Sequence, residues 1–132
     1  MSIPEISSPD RIQERLLKLT ALFLFLFALA LTLAPAARGR DWQADYPLNH
    51  WLGWVAWMGI FALAHHWTCQ HLPQRDPYLL PLSALLSGWG LLTIWRLMPG
   101  FGQRQTLWLI FSIALVILGV RFQGLFPIPS RY

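Results

Sequence analysis

Charge is scarce in this sequence. Only 12% of its 132 residues are Asp, Glu, Lys or Arg, while 55% are hydrophobic. A water-facing domain usually carries about 25% charged residues, so the deficit excludes an ordinary soluble surface. Cysteine occurs once, at Cys69, which excludes an intramolecular disulfide and any CxxC zinc spacing. Also missing are a Gly-rich phosphate loop, a serine elbow and a Walker lysine. The carboxylates Glu5, Asp10, Glu14, Asp41, Asp45 and Asp76 all fall outside the long apolar runs, so no proton relay inside a membrane is expected. Nucleic acid is excluded as a partner despite a net charge of +4. The basic residues, nine of them Arg, sit singly between apolar runs and read as topology determinants.

The chain does contain four apolar runs and eight Trp, a residue that favours the membrane–water boundary. The reading is an all-α integral membrane protein with about four transmembrane helices and no soluble domain. Ser8, Pro9 and Asp10 form a helix start, and Glu14 and Lys18 are spaced i, i+4, so residues 1–18 read as a cytoplasmic interfacial segment. Leu19 to Ala37 is free of charge and covers roughly 28 Å, close to a hydrocarbon core of about 30 Å. A cleaved signal peptide competes for this stretch, since Ala34-Pro35-Ala36 has the small-residue look of a cleavage site. The head region is long and of mixed charge, and the run is long enough to span, which favours a first transmembrane helix.

The second span is expected from about Leu48 to Thr68, with Trp51, Trp54 and Trp57 toward one end and Trp67 at the other. Gly53, Ala56 and Gly59 recur along it and allow close helix approach. Asp76 and Pro77 are expected to cap a third span that runs to Trp95. Within it Ala84 and Gly88, and Ser83 and Ser87, make small-xxx-small pairs for helix packing. Leu97 to Arg104 contains Pro99, Gly100 and Gly102 and reads as a loop before a fourth span from Gln105 to Val120. The tail, 123–132, holds Pro127 and Pro129 and is expected to be irregular. Six Lys and Arg fall on the side of the termini and four on the other, which favours cytoplasmic termini.

His65-His66-Trp67-Thr68-Cys69-Gln70-His71 is the densest group of potential ligands. His65 and Cys69 could share one metal, and His65 or His66 could serve as an axial ligand to haem or a pigment. Two ligands fall short of a closed site, and polar residues cost little at a span end. An interfacial cluster with no cofactor is therefore the reading carried forward. Asp41 and Asp45 read as solvated loop residues rather than a cation site.

One stretch is similar to a known family. Asp76-Pro77-Tyr78-Leu79-Leu80-Pro81-Leu82 through Gly88 to Arg96, followed by Arg104-Gln105-Thr106-Leu107-Trp108, resembles the opening of the FtsW/RodA/SpoVE core. The resemblance covers about 76–122 and makes residues 19–68 two additional N-terminal helices. It implies a role in peptidoglycan synthesis, cell shape or division in the bacterial inner membrane. The family's proposed catalytic acid and its lipid-II cavity lie in later helices, so no catalytic residue is carried over. The expectation is a truncated or split member, not enzymatic as an isolated chain. Its partners would be the lipid bilayer and other transmembrane helices or membrane proteins, such as the remainder of a split member. The alternative is a small non-enzymatic subunit of a membrane complex, with or without pigment.

Overall fold

The computed structural model describes residues 9–72 and 74–123. These form four helices joined by short connections: α1 (Pro9–Gly39), α2 (Asn49–His71), α3 (Leu79–Leu97) and α4 (Pro99–Gln123). The described residues contain no strand. The all-α membrane reading holds. α1, α3 and α4 are long and apolar enough to cross a bilayer. α2, of 23 residues, covers roughly 34 Å and is long enough, but its four Trp and its polar ends make it less apolar. Its middle compensates by packing against all three other helices.

α1, α2 and α3 each bury a stripe at i, i+3/i+4 spacing, the seam expected when helices pack side by side, while α4 buries only Gly102 among its described residues. On α1 the stripe is Gln13, Thr20, Leu24 and Ala28, and on α2 it is His50, Gly53, Trp57, Phe61 and Ala64. On α3 it is Pro81, Ala84, Gly88, Leu91, Leu92 and Trp95. α2 and α3 form the central pair. α1 and α4 pack on opposite flanks of that pair and do not touch each other. The core joins Leu24 and Ala28 to Trp57, Phe61, Ala84, Leu91, Leu92 and Trp95. Leu and Phe residues around the outside, such as Leu22, Leu52, Leu86 and Phe111, are exposed, as lipid-facing residues are.

Two boundaries differ from the sequence expectation, at the starts of α3 and α4. The interfacial segment runs into the first span as one continuous helix of 31 residues. Ser8, its expected cap, lies outside the described residues, as does the tail beyond Gln123. α3 begins at Leu79, so Asp76 and Pro77 occupy the preceding turn. There Asp76 Oδ1 accepts the Tyr78 N–H at 2.9 Å, satisfying a backbone donor just before the helix. α4 begins at Pro99, six residues before the expected Gln105. Proline fits a first helical position because its missing N–H would have no partner there. The expected 97–104 loop shrinks to an extended Met98, whose carbonyl accepts from Phe101 and Gly102, each at 3.0 Å.

Candidate functional site

Two tryptophans lock the core. Trp57 on α2 lies against Gly88 on α3, with Leu24 of α1 on the same spot; a Cβ built on Gly88 would stand 2.3 Å from Leu24 Cδ1 and 2.9 Å from Trp57 Nε1. The Trp57 indole donates to the Ala84 carbonyl at 2.9 Å, so this ring is fixed by a hydrogen bond as well as by shape. Trp95 on α3 is held between two other helices. A Cβ on Gly53 of α2 would meet Trp95 Cδ1 at 2.5 Å, and one on Gly102 of α4 would meet its Cγ and Cδ2 at 2.5 Å and its Cα at 2.9 Å. Its indole donates to Thr106 Oγ1 at 2.9 Å, and that hydroxyl donates to the Gly102 carbonyl at 2.8 Å.

The small residues singled out from sequence divide accordingly. Ala84, Gly88 and Gly53 are buried at crossings, and Ala56 is half-buried. Gly59 has nothing within 4 Å of where a Cβ would be. Ser83 is exposed and Ser87 half-buried. Both turn their hydroxyls onto their own helix, donating to the Leu80 and Ala84 carbonyls at 2.8 and 3.2 Å.

A polar clasp closes the end where α1 begins and α2 ends. Arg75, between α2 and α3, has a side chain only 9% exposed. Its Nε donates to Gln13 Oε1 at 2.6 Å, and its Nη1 donates to the Thr68 and Leu72 carbonyls, both at 2.9 Å. Nη2 donates to Asp10 Oδ1, and to Cys69 Sγ at 3.0 Å. A guanidinium has five N–H donors, and all five are engaged. Arg75 thereby satisfies carbonyls at the C-terminal end of α2, where a cation is also favoured by the helix dipole. Gln13, fully buried, completes the clasp by donating to Thr68 Oγ1 at 3.4 Å. Burial pushes the Cys69 thiol up, and the neighbouring Arg75 charge works the other way. On the exposed side of the same end, Lys18 pairs with Glu14 at 2.6 Å and holds its carboxyl below the usual range.

The opposite end holds a second buried knot. His50, 1% exposed, brings Nε2 within 2.9 Å of the Ala28 carbonyl and 3.1 Å of Thr32 Oγ1. A carbonyl can only accept, so Nε2 carries the proton in this arrangement. Trp51 Nε1 donates to Thr32 Oγ1 at 3.0 Å, and Thr32 donates to the Ala28 carbonyl at 2.9 Å.

His65 and Cys69 do approach, at 3.7 Å, and Gln70 meets His66 at 3.0 Å. His71 stacks on Trp67 with ring centroids 4.1 Å apart. No third His, Cys, Asp or Glu among the described residues joins any such group in a way that could hold a metal ion. Asp41 Oδ1 accepts the Gln43 N–H at 2.9 Å, an ordinary turn contact. Sequence reasoning missed Arg75, Gln13 and His50 as buried polar anchors, and Trp95 and Gly102 as a contact pair. The one available signal was the isolated Arg75 between two helices, a residue type well suited to bonding helix-terminal carbonyls. Compared with known protein families, curated proteins and solved structures, the chain matches none.

Proposed function

We propose that the chain is a membrane-embedded counterpart of the opening of the FtsW/RodA/SpoVE core. In this reading it serves peptidoglycan synthesis, cell shape or division together with further helices or partner chains, and does no chemistry of its own. The observation that carries the reading is the α3–α4 hairpin. The two motif segments, Asp76 to Arg96 and Arg104 to Trp108, lie largely on the adjacent packed helices α3 and α4, and Trp95 of α3 seats on Gly102 and Thr106 of α4. Support also comes from α4. Its apolar length presents Leu107, Trp108, Phe111, Leu115 and Leu118 outward, a surface on which further helices could pack.

The reading assigns the chain to the bacterial plasma membrane with both termini cytoplasmic. Arg11, Arg15, Lys18, Arg75 and Arg121 then lie at the inner face, and Arg38, Arg40, Arg96 and Arg104 at the outer one, in the sense of the positive-inside rule. Depleting the protein in the cells that carry it should disturb shape or division and slow incorporation of a labelled cell-wall precursor. Normal morphology with unchanged incorporation would refute the reading. The purified chain, given lipid II, should leave it unpolymerised; glycan formation free of other synthases would overturn the non-catalytic part.

A further inference from the structure

The Arg75 clasp extends past the carbonyls it binds. Cys69 Sγ accepts from Arg75 Nη2 at 3.0 Å and also lies 3.7 Å from both ring nitrogens of His65, one turn back on α2. The sulfur already serves as an acceptor, so its S–H is left to donate, and only a neutral imidazole has the lone pair to receive it. His65 is half-buried. It borders an open groove between α1 and α2 that carries Glu14 and Lys18 on its other side. The ring therefore stands level with the charged first turns of α1, where water and head groups reach. The charged and titratable groups facing it are Asp10, Glu14 and Lys18 on α1, His66 and Cys69 on α2, and Arg75 just beyond. Both of those carboxylates are engaged already, Asp10 with Arg75 and Glu14 with Lys18. Among the described residues, a proton on His65 thus meets no carboxylate without a cation of its own. It ends the thiol hydrogen bond, because a protonated ring has donors only. It also sets a second positive charge across one sulfur atom from a guanidinium that is only 9% exposed.

We propose that His65 makes the clasp an acid-released latch, in which a proton on the ring loosens the hold of Arg75 on the first two turns of α1. The bonds from Arg75 to the Thr68 and Leu72 carbonyls stay at the end of α2, whereas those to Gln13 and Asp10 reach across to α1. α1 is therefore the element that is released. The sign follows from linkage. With Arg75 withdrawn from the sulfur, the ring takes up a proton more readily than in the closed clasp. Closure is thus favoured above the ordinary histidine range near pH 6.5 and loses ground as pH falls through it. Histidine is the side chain that ordinarily titrates between about pH 7.5 and 5.5, so a response over that interval points to a ring and not to a carboxylate. The proposal concerns the clasp alone and is independent of the peptidoglycan reading.

The test follows backbone hydrogen exchange of the full chain in phosphatidylcholine nanodiscs at about pH 7.5 and 5.5. Each rate is divided by the intrinsic exchange rate at that pH, and α3 serves as the internal reference. Relative to α3, exchange over the first two turns of α1 should rise on the order of tenfold at the lower pH, the scale of one charge repulsion at a partly buried site. His65→Gln keeps a group that can accept from the thiol but takes up no proton, and should stay protected at both pH values. His65→Lys carries a charge at both, and its α1 should exchange rapidly at both. His66→Gln changes only the exposed neighbouring ring and should respond as the wild type does. Wild-type protection of α1 that is unchanged or increased on acidification would overturn the proposal. So would a full response kept by His65→Gln, a response lost in His66→Gln, or wild-type protection in His65→Lys. Because α3 is read in the same sample, a variant that loosens the whole bundle is distinguished from one that frees α1.

Discussion

Replacing Gly102 by alanine tests the way the Trp95 ring is held. The added methyl carbon would start 2.5 Å from Trp95 Cγ and Cδ2 and 2.9 Å from its Cα, against about 3.5–4.0 Å for carbons in favourable contact. The ring must therefore withdraw by about 1 Å, and two features oppose this. Gly53 of α2 lies against the same ring, so the ring already fills the place of a side chain there. The indole is also bonded to Thr106 at 2.9 Å. Because the Trp95 Cα is part of the obstacle, α3 itself must shift relative to α4. Overpacking of this kind costs about 1–3 kcal/mol. Alanine returns about 1 kcal/mol of helix propensity, and with a backbone in the way the net loss should be about 2 kcal/mol. Gly59→Ala is the control, since nothing lies within 4 Å of its Cβ position, and it should be neutral or stabilising by up to about 1 kcal/mol. The assay is reversible unfolding in mixed micelles, followed by far-ultraviolet circular dichroism. In a Trp95→Leu background the Gly102→Ala penalty should shrink, because the ring it strikes is gone and only the backbone contact at residue 95 remains. Equal stability of Gly102→Ala and Gly59→Ala, or an undiminished penalty without the ring, would refute the reasoning.

Three further outcomes follow from the ends of the bundle. Arg75→Met should destabilise by about 3 kcal/mol, since it strands buried acceptors on Gln13, Thr68 and Leu72. Asp10→Asn, on the exposed side of the same clasp, should cost under about 1 kcal/mol; the same unfolding assay checks both, and equal costs would contradict the five-donor account. Thr32→Val should cost about 0.6–1.7 kcal/mol, the range for hydrogen bonds between membrane helices, and should speed hydrogen exchange at the start of α2; unchanged exchange would count against the His50 knot. With the proposed orientation, an impermeant thiol reagent should leave Cys69 unlabelled in intact cells and label it after permeabilisation. The reaction is best run mildly alkaline because the thiol is shifted upward, and strong labelling of intact cells would invert the topology.

Helix number and membrane class were legible because charge-free length is a one-dimensional property. The start of α4 was not, since Pro99, Gly100 and Gly102 resemble a turn; the proline opens the helix and Gly102 leaves room for an indole. Small-residue spacing was only half informative. Gly53 and Gly59 belong to one three-residue series, but six residues at about 100° each place them roughly 120° apart round the helix, so one meets Trp95 and the other faces open space. Ser83, one residue from Ala84, is turned away by the same rotation. The α3 start shifted by two residues, to Leu79, because Asp76 served the turn before the helix. The isolated Arg75 hinted at bonds to helix-end carbonyls but not at its partners on α1, since Gln13 and Asp10 lie 62 and 65 residues away.

That separation sets an order of events during synthesis. At roughly 5–20 residues per second, α1 waits several seconds before Arg75 is made. During that interval Asp10 and Gln13 have no arginine partner and depend on water and head groups. The contact becomes possible only if α2 has threaded back so that residue 75 emerges on the side where residue 10 stayed. A chain whose second helix failed to cross would hold the two groups on opposite faces of the bilayer, with a hydrocarbon barrier between them. Closure of the arginine onto α1 thus rewards an even number of crossings, and acts as a built-in parity check on how the polypeptide was inserted.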